Sequence, residues 1–180
     1  MGIAKLNTVK KARKDQGECG RCKSPIAAGD AYLWWTTGFR SKAKSKRCEA
    51  CGPPPLSDRE SNYKRAAILA ASEDFHGTII DCLDREAIVC ALESLAEALQ
   101  EAASMFEESA DSIEEGFGHE TSQSEEQREH AAAVESAAED VESAASELDE
   151  EPEEGESAED YIDRLRDEAI DAANDNEPEI

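Results

Sequence analysis

In the middle of the chain, Leu92, Leu99, Phe106 and Ile113 recur at a strict interval of seven. Ile88, Leu95 and Ala102 stand four residues ahead of the first three. Spacing of this kind puts all seven side chains on one stripe of a helix and predicts a heptad seam. The helix is expected over about Ile80 to Glu115, ended by Gly116 and Gly118, because glycine commonly closes a helix C-terminus. A second seam follows at Val134, Val141 and Leu148, with Ala137 and Ala144 between them. It predicts a helix from about Glu125 to Glu150. The short polar stretch between the seams favours an antiparallel helical hairpin, and the small alanines let the two helices approach closely.

Shorter helices flank the pair. Ser57 with Glu60 fits a capping box and predicts a helix from near Asp58 to about Glu73, with a break at Gly77. Pro152 and Gly155, set among glutamates, read as a linker. Ser157 with Asp160 predicts a cap on a last amphipathic helix carrying Ile162, Leu165 and Ile170. The residues after Asn174 read as a disordered tail.

The first third of the chain has a different pattern. Ala31 to Thr37 reads as a strand, so Tyr32 and Trp34 should face one way and Leu33 and Trp35 the other. One face is expected to cover the cysteines described below and the other to stay exposed. Residues 1–18, with Lys10, Lys11, Arg13 and Lys14, read as a basic lead-in that is flexible or a short helix. The expected organisation is a lead-in over 1–18, a four-cysteine module over 19–56, and helices including the first seam over 57–118. A loop and second acidic helix occupy 119–150, and a linker, short helix and tail occupy 151–180. The fold class is a small zinc-ribbon-like β module followed by an acidic α-helical hairpin or coiled coil, α-dominated overall.

Charge sharpens this division. The chain has 180 residues and a net charge of −24. Residues 1–65 carry 15 Lys or Arg against 6 Asp or Glu, a net +9. Residues 66–180 carry 4 against 37, a net −33. A split this sharp implies segments with different partners, or segments that meet each other. No run approaches the roughly 18 apolar residues of a membrane span. The N-terminus lacks the apolar stretch of a signal peptide, and Leu6 breaks the myristoylation pattern that Met1-Gly2 begins. The expected location is the cytoplasm, without a membrane partner.

In that compartment, paired cysteines more often hold metal than form disulfides. Cys19-Gly-Arg-Cys22 and Cys48-Glu-Ala-Cys51 are two C-x-x-C pairs. Each spacing lets one tight turn aim both sulfurs at a point, and two such turns complete a tetrahedral zinc site. Gly52, directly after the second pair, suits the positive φ of such a turn. Two disulfides, a redox pair or an iron centre are the alternatives, and redox chemistry favours a βαβ context that the pattern here lacks. With four protein ligands the site is closed, as structural zinc sites are, and the metal would supply folding energy that so small a module lacks. Cys82 and Cys90 have no such pairing and read as buried small hydrophobes. His76, His119 and His130 are isolated and read as surface or loop residues.

Four of the nine aromatic residues, Tyr32, Trp34, Trp35 and Phe39, lie between the two pairs. Arg40, Lys42, Lys44 and Lys46 follow at alternate positions, with Arg47 beside them. Extended chain would point the four alternate cations to one side. Phosphates require cations and unstacked bases require a π-face, so Trp34, Trp35, Arg40, Lys42, Lys44, Lys46 and Arg47 form a candidate surface for single-stranded nucleic acid. The competing reading has both tryptophans in the core and the lysines on a solvated loop.

The arrangement C-x-x-C, Ile26, Gly29-Asp30, Tyr32-x-Trp34, a basic stretch, and C-x-x-C-G followed by prolines resembles the small zinc-ribbon proteins of tailed bacteriophages. Part of it is similar to the zinc modules of poly(ADP-ribose) polymerases. Those use three cysteines and a histidine, whereas no histidine lies between positions 1 and 75 here. The resemblance covers about residues 17–56. It implies zinc and a viral or mobile-element origin, hence a host cytoplasm, and it implies no activity.

No nucleophile–base constellation, phosphate-binding glycine loop or open metal site is visible, so the expected function is nonenzymatic. The first expectation is an adaptor whose basic zinc module touches nucleic acid and whose acidic helices dimerise or recruit a protein. The alternative is an acidic interaction or inhibitor protein of the anti-defence or DNA-mimic kind, presenting carboxylates to a basic surface. In that case the zinc module is purely structural.

Overall fold

The heptad stripes do what their spacing requires: each buries itself against the other. The computed structural model describes residues 2–37, 44–148, 151–152 and 154–178. The chain forms two compact units, Met1–Ala66 and Ala67–Ile180. In order it has strands β1 (Asn7–Val9), β2 (Gly17–Glu18), β3 (Pro25–Ile26), β4 (Tyr32–Trp35) and β5 (Ser45–Cys48), then helices α1 (Tyr63–Ile79), α2 (Arg85–Phe117), α3 (Ser122–Glu147) and α4 (Ala158–Asp175). Single 3-10 turns span Glu49–Cys51 and Ser57–Arg59.

In the second unit α2 and α3 form the antiparallel hairpin. Leu92, Leu95, Leu99, Ala102 and Phe106 of α2 and Val134, Ala137, Ala138 and Val141 of α3 are all buried in one cluster. Ile113, in the last two turns of α2, is only half-buried. Ala102, Ala110 and Ala138 have no exposed surface, as expected where small residues let two helices close up. Asp84 caps α2 by accepting the Ala87 amide at 2.8 Å. Gly118 ends it in the left-handed region, φ 73°, its amide donating to the Glu114 carbonyl at 2.7 Å. Thr121 and Ser124 form a reciprocal capping box on α3. At the tip, Arg128 pairs with Asp111, Glu114 and Glu120. That arginine holds the Glu114 carboxyl below its ordinary range, against a smaller opposing effect of burial.

The core also takes Ile68, Phe75 and Ile79 of α1 and Tyr161, Leu165 and Ala169 of α4. Ser157 caps α4 as its sequence suggests, accepting the Asp160 amide at 3.1 Å. Arg166 donates to the Cys82 carbonyl and Arg85 to the Leu148 carbonyl. Gly77 does not break α1; the chain turns only after Ile79. A single helical glycine costs about 1 kcal/mol, which burial of Phe75 and Ile79 on either side outweighs. Nor does the first helix begin at Asp58. Residues Ser57–Arg59 form one 3-10 turn, and the Glu60 carboxylate accepts the amides of Ser61 and Asn62 rather than closing a box with Ser57. The Lys64 amide then donates to Asn62 Oδ1 at 3.0 Å as α1 starts.

The first unit contains a three-stranded antiparallel sheet in the order β1-β4-β5 and a small β2-β3 hairpin. Asn7 and Val9 lie opposite Trp34 and Tyr32, which in turn lie opposite Lys46 and Cys48. Residues directly opposite share a face. Val9, Tyr32, Trp34 and Lys46 therefore belong to one face, and Thr8, Leu33, Trp35 and Arg47 to the other. The lead-in is thus part of the sheet, which corrects the reading of residues 1–18 as flexible or a short helix. Ala12 is buried, and its amide and carbonyl bond to Asp30 and Gly29. A three-residue strand is too short to leave a period in the sequence, and its partner lies some 25 residues away.

Candidate metal centre

The first C-x-x-C pair sits on the turn of the β2-β3 hairpin. The Cys19 amide donates to the Ser24 carbonyl at 2.8 Å, and the Lys23 amide returns to the Cys19 carbonyl at 3.0 Å. Lys23 adopts φ 60° to make this tight knuckle. The second pair begins at the last residue of β5 and continues through the 3-10 turn to Gly52, whose φ of 67° is the positive value anticipated for it. One backbone bond, from the Gly20 amide to the Lys46 carbonyl at 2.8 Å, holds the knuckles together. A Cβ at Gly20 would come within 3.2 Å of that carbonyl oxygen.

This arrangement brings the four sulfurs of Cys19, Cys22, Cys48 and Cys51 within 4.8 Å of one another. Cys19 Sγ lies 3.8 Å from Cys51 Sγ, and Cys22 Sγ lies 3.7 Å from Cys48 Sγ. A disulfide requires about 2.05 Å, so neither pair is bonded, and all six cysteines are free thiols. A tetrahedron with metal–sulfur bonds of about 2.3 Å has edges of about 3.8 Å. The Cys19–Cys51 and Cys22–Cys48 separations match those edges. Cys19 is buried and Cys22 exposed, so the site lies at the surface with one side covered.

The electrostatics point the same way. Burial pushes the Cys19 thiol up, but the amides of Cys22, Cys48 and Arg21 outweigh it and bring it to about 6. The hydroxyl and amide of Ser24 lower Cys22. Cys51, in contact with the thiols of Cys48 and Cys22, is pushed up to about 12. Part of the cluster is therefore prepared as thiolate, and one thiol holds its proton against neighbouring negative charge. A divalent cation at the centre would remove that conflict. Soft sulfur donors in a tetrahedron suit zinc or iron, and no ligand position is left for water. Among the described residues of this unit, the large apolar side chains that are buried are Ile26 and Trp35, too few for a core of their own, so a metal would stand in for one.

The residues expected to meet nucleic acid do not share one environment. Trp34 is half-buried on the Tyr32 face, and Lys44 Nζ lies 4.0 Å above its ring. Trp35 is 4% exposed and its indole N–H donates to the Asp58 carbonyl at 2.9 Å, so its ring belongs to the interior. Lys46 Nζ donates to the Gln16 carbonyl. Arg47 pairs with Asp58 at 2.6 Å and also reaches the Pro53 carbonyl at 3.3 Å. These two cations brace the module rather than line an open row. Arg40, Lys42 and Phe39 lie outside the described residues. In the second unit, Cys82 is buried as expected but Cys90 is exposed, which corrects its assignment to the core. His130 sits edge-on to Phe106 at 5.5 Å, and His76 and His119 bond to nearby carbonyls.

Among the described residues, no helix is long and apolar enough to cross a membrane. In comparisons with known proteins, no family model, no curated protein and no solved structure matches the chain.

Proposed function

We propose that the chain is a nonenzymatic zinc-binding adaptor. One zinc ion on Cys19, Cys22, Cys48 and Cys51 would hold a basic module together, and that module contacts single-stranded nucleic acid. The acidic helices provide the surface for a protein partner or a second copy. The observation that supports this reading is the pairing of Trp34 with Lys44 on one sheet face of a module carrying +9. An aromatic ring beside a cation is the minimal unit that accepts a base and its phosphate.

The test is a salt titration of zinc-loaded protein against a fluorescent oligothymidylate. With about four phosphates contacted, log affinity should fall against log salt with a slope near −3, at about −0.7 per phosphate. Trp34→Ala should weaken binding by about 1–3 kcal/mol at unchanged slope, and Lys44→Ala should flatten the slope by about 0.7. Absence of binding at low salt would remove the nucleic-acid part of the proposal.

A second reading has its own support. All four arginines of residues 67–180 are engaged within that unit, which leaves a strongly acidic surface. On this reading the helices are an inhibitor that offers carboxylates to a basic protein surface, and the zinc module is structural. Capture of a basic partner by a variant carrying Trp34→Ala and Lys44→Ala, as efficiently as by wild type, would favour it.

A further inference from the structure

After β1 the chain turns back over residues 10–16 and is fixed there at several points. The Ala12 amide donates to the Asp30 carbonyl at 2.8 Å, and the Gly29 amide donates to the Ala12 carbonyl at 2.9 Å. The Gln16 amide donates to the Ile26 carbonyl at 2.8 Å, and Asp15 Oδ1 accepts the Ala28 amide at 2.9 Å. Only Ala12 of this segment is buried; Lys11, Arg13 and Lys14 are exposed. They line an open groove of about 450 Å³ with Val9, Gln16 and Tyr32. The Tyr32 hydroxyl donates to Gln16 Oε1 at 3.2 Å, and Gln16 Nε2 donates to the Lys14 carbonyl at 2.8 Å, so the wall of the groove is itself held in place. Among the described residues, none of the three cations forms a salt bridge.

The two cations of β5 behave differently. Lys46 and Arg47 use their charge internally, whereas Lys11, Arg13 and Lys14 do not. Three like charges gathered on a braced loop repel one another and gain nothing for the fold. They gain from an anion that bridges them. Tyr32 and Trp34 share one face of β4, two residues or about 7 Å apart. The Trp34–Lys44 pair therefore stands on the same sheet face as Tyr32, the wall of the groove.

We propose that Lys11, Arg13 and Lys14 form a phosphodiester-binding groove, with Tyr32 as its aromatic wall, that extends the single-stranded nucleic-acid path beyond Trp34 and Lys44. This rests on the nucleic-acid reading above and assigns the phosphate contacts to the lead-in rather than to Lys46 and Arg47. The carboxylate of Asp15 lies within the same loop and opposes the anion, while its Oδ1 stays engaged with the Ala28 amide.

The experiment uses full-length zinc-loaded protein and the fluorescent oligothymidylate, with zinc content and tryptophan emission confirming the fold of each variant. Replacing Lys11→Ala, Arg13→Ala and Lys14→Ala together should reduce the salt slope by about 2 and low-salt affinity by at least about tenfold. Asp15→Asn keeps the acceptor for Ala28 and removes the opposing charge, so it should tighten binding about two- to fivefold. If the triple variant loses its zinc, Asp15→Asn alone decides, and no tightening overturns the proposal. If wild type binds and the folded triple variant keeps the same slope, the groove is wrong and the adaptor reading stands. If wild type does not bind, both fall. A triple variant that loses affinity only for phosphatidylserine vesicles, and not for the oligonucleotide, would also overturn the groove.

Discussion

Replacing Leu99 by aspartate tests the helical hairpin at its centre. Leu99 is 4% exposed, and Leu92, Leu95, Ala102 and Phe106 on the same stripe are 5% exposed or less. Losing its burial costs about 2–3 kcal/mol. The new carboxylate would find no cation. Arg128 is held by Asp111, Glu114 and Glu120, Arg164 by Glu156 and Glu168, Arg166 by Asp163 and the Cys82 carbonyl, and Arg85 by the Leu148 carbonyl. An unpaired buried carboxyl takes up a proton instead. Raising its pKa from about 4 to about 7 costs roughly 4 kcal/mol at pH 7. The total of about 6 kcal/mol rivals the whole stability of many domains.

Thermal melts followed at the helical circular-dichroism band should therefore show Leu99→Asp unfolded or melting more than about 20 °C below wild type. The pH dependence identifies the cause. The group's folded pKa lies above its unfolded value, so the native state binds more protons, and the deficit shrinks as pH falls from 7 towards 4. The gain should be about 1.4 kcal/mol per pH unit relative to Leu99→Asn, which shares the lost burial but does not titrate. A melting point within about 5 °C of wild type, or identical pH dependence in the two variants, would refute the burial of this seam.

Three other outcomes are expected. Purified protein should contain one zinc per chain by elemental analysis, and Cys22→Ser should release it and unfold the first unit while the helical signal persists; a metal-free first unit that stays folded would show that the cysteines are not a structural site. Moderate salt should raise the melting temperature of the helical unit, because screening relieves repulsion among 37 acidic side chains with only 4 basic ones beside them; a fall would mean that the Arg128 pairs outweigh the repulsion. Arg128→Gln should raise the titration of the Glu114 carboxyl from its depressed position towards the ordinary glutamate range in a carbon-detected NMR titration. Since the folded value in wild type is depressed, the stability linked to this pair is present above the ordinary glutamate range and is lost as pH falls through the depressed value.

Much of the second unit could be read directly from residue order. A heptad stripe is a local property, so Leu92, Leu99, Phe106, Val134 and Val141 declare their burial through spacing alone. Ser157 caps its helix by a bond that spans three residues, as its spacing from Asp160 suggests, whereas the caps Asp84 and Thr121 start their helices at Arg85 and Ser122 rather than at about Ile80 and Glu125. The cysteine quartet was equally legible, because a C-x-x-C turn aims its two sulfurs without help from the rest of the chain. Tertiary structure alone decided how the basic module spends its charges. Trp34 and Trp35 are neighbours of the same type, yet one faces Lys44 and the other is buried against Asp58. Lys46 and Arg47 continue a basic row in sequence but turn to Gln16 and Asp58, which only the fold brings near. Lys11, Arg13 and Lys14, in a stretch without hydrophobic period, are gathered into one groove by backbone bonds to residues 26–30. Those bonds join segments far apart in sequence, and short strands carry too few residues to announce their partners. The caps and seams follow from neighbours three to seven positions away, whereas the fate of each cation depends on which distant segment lies beside it.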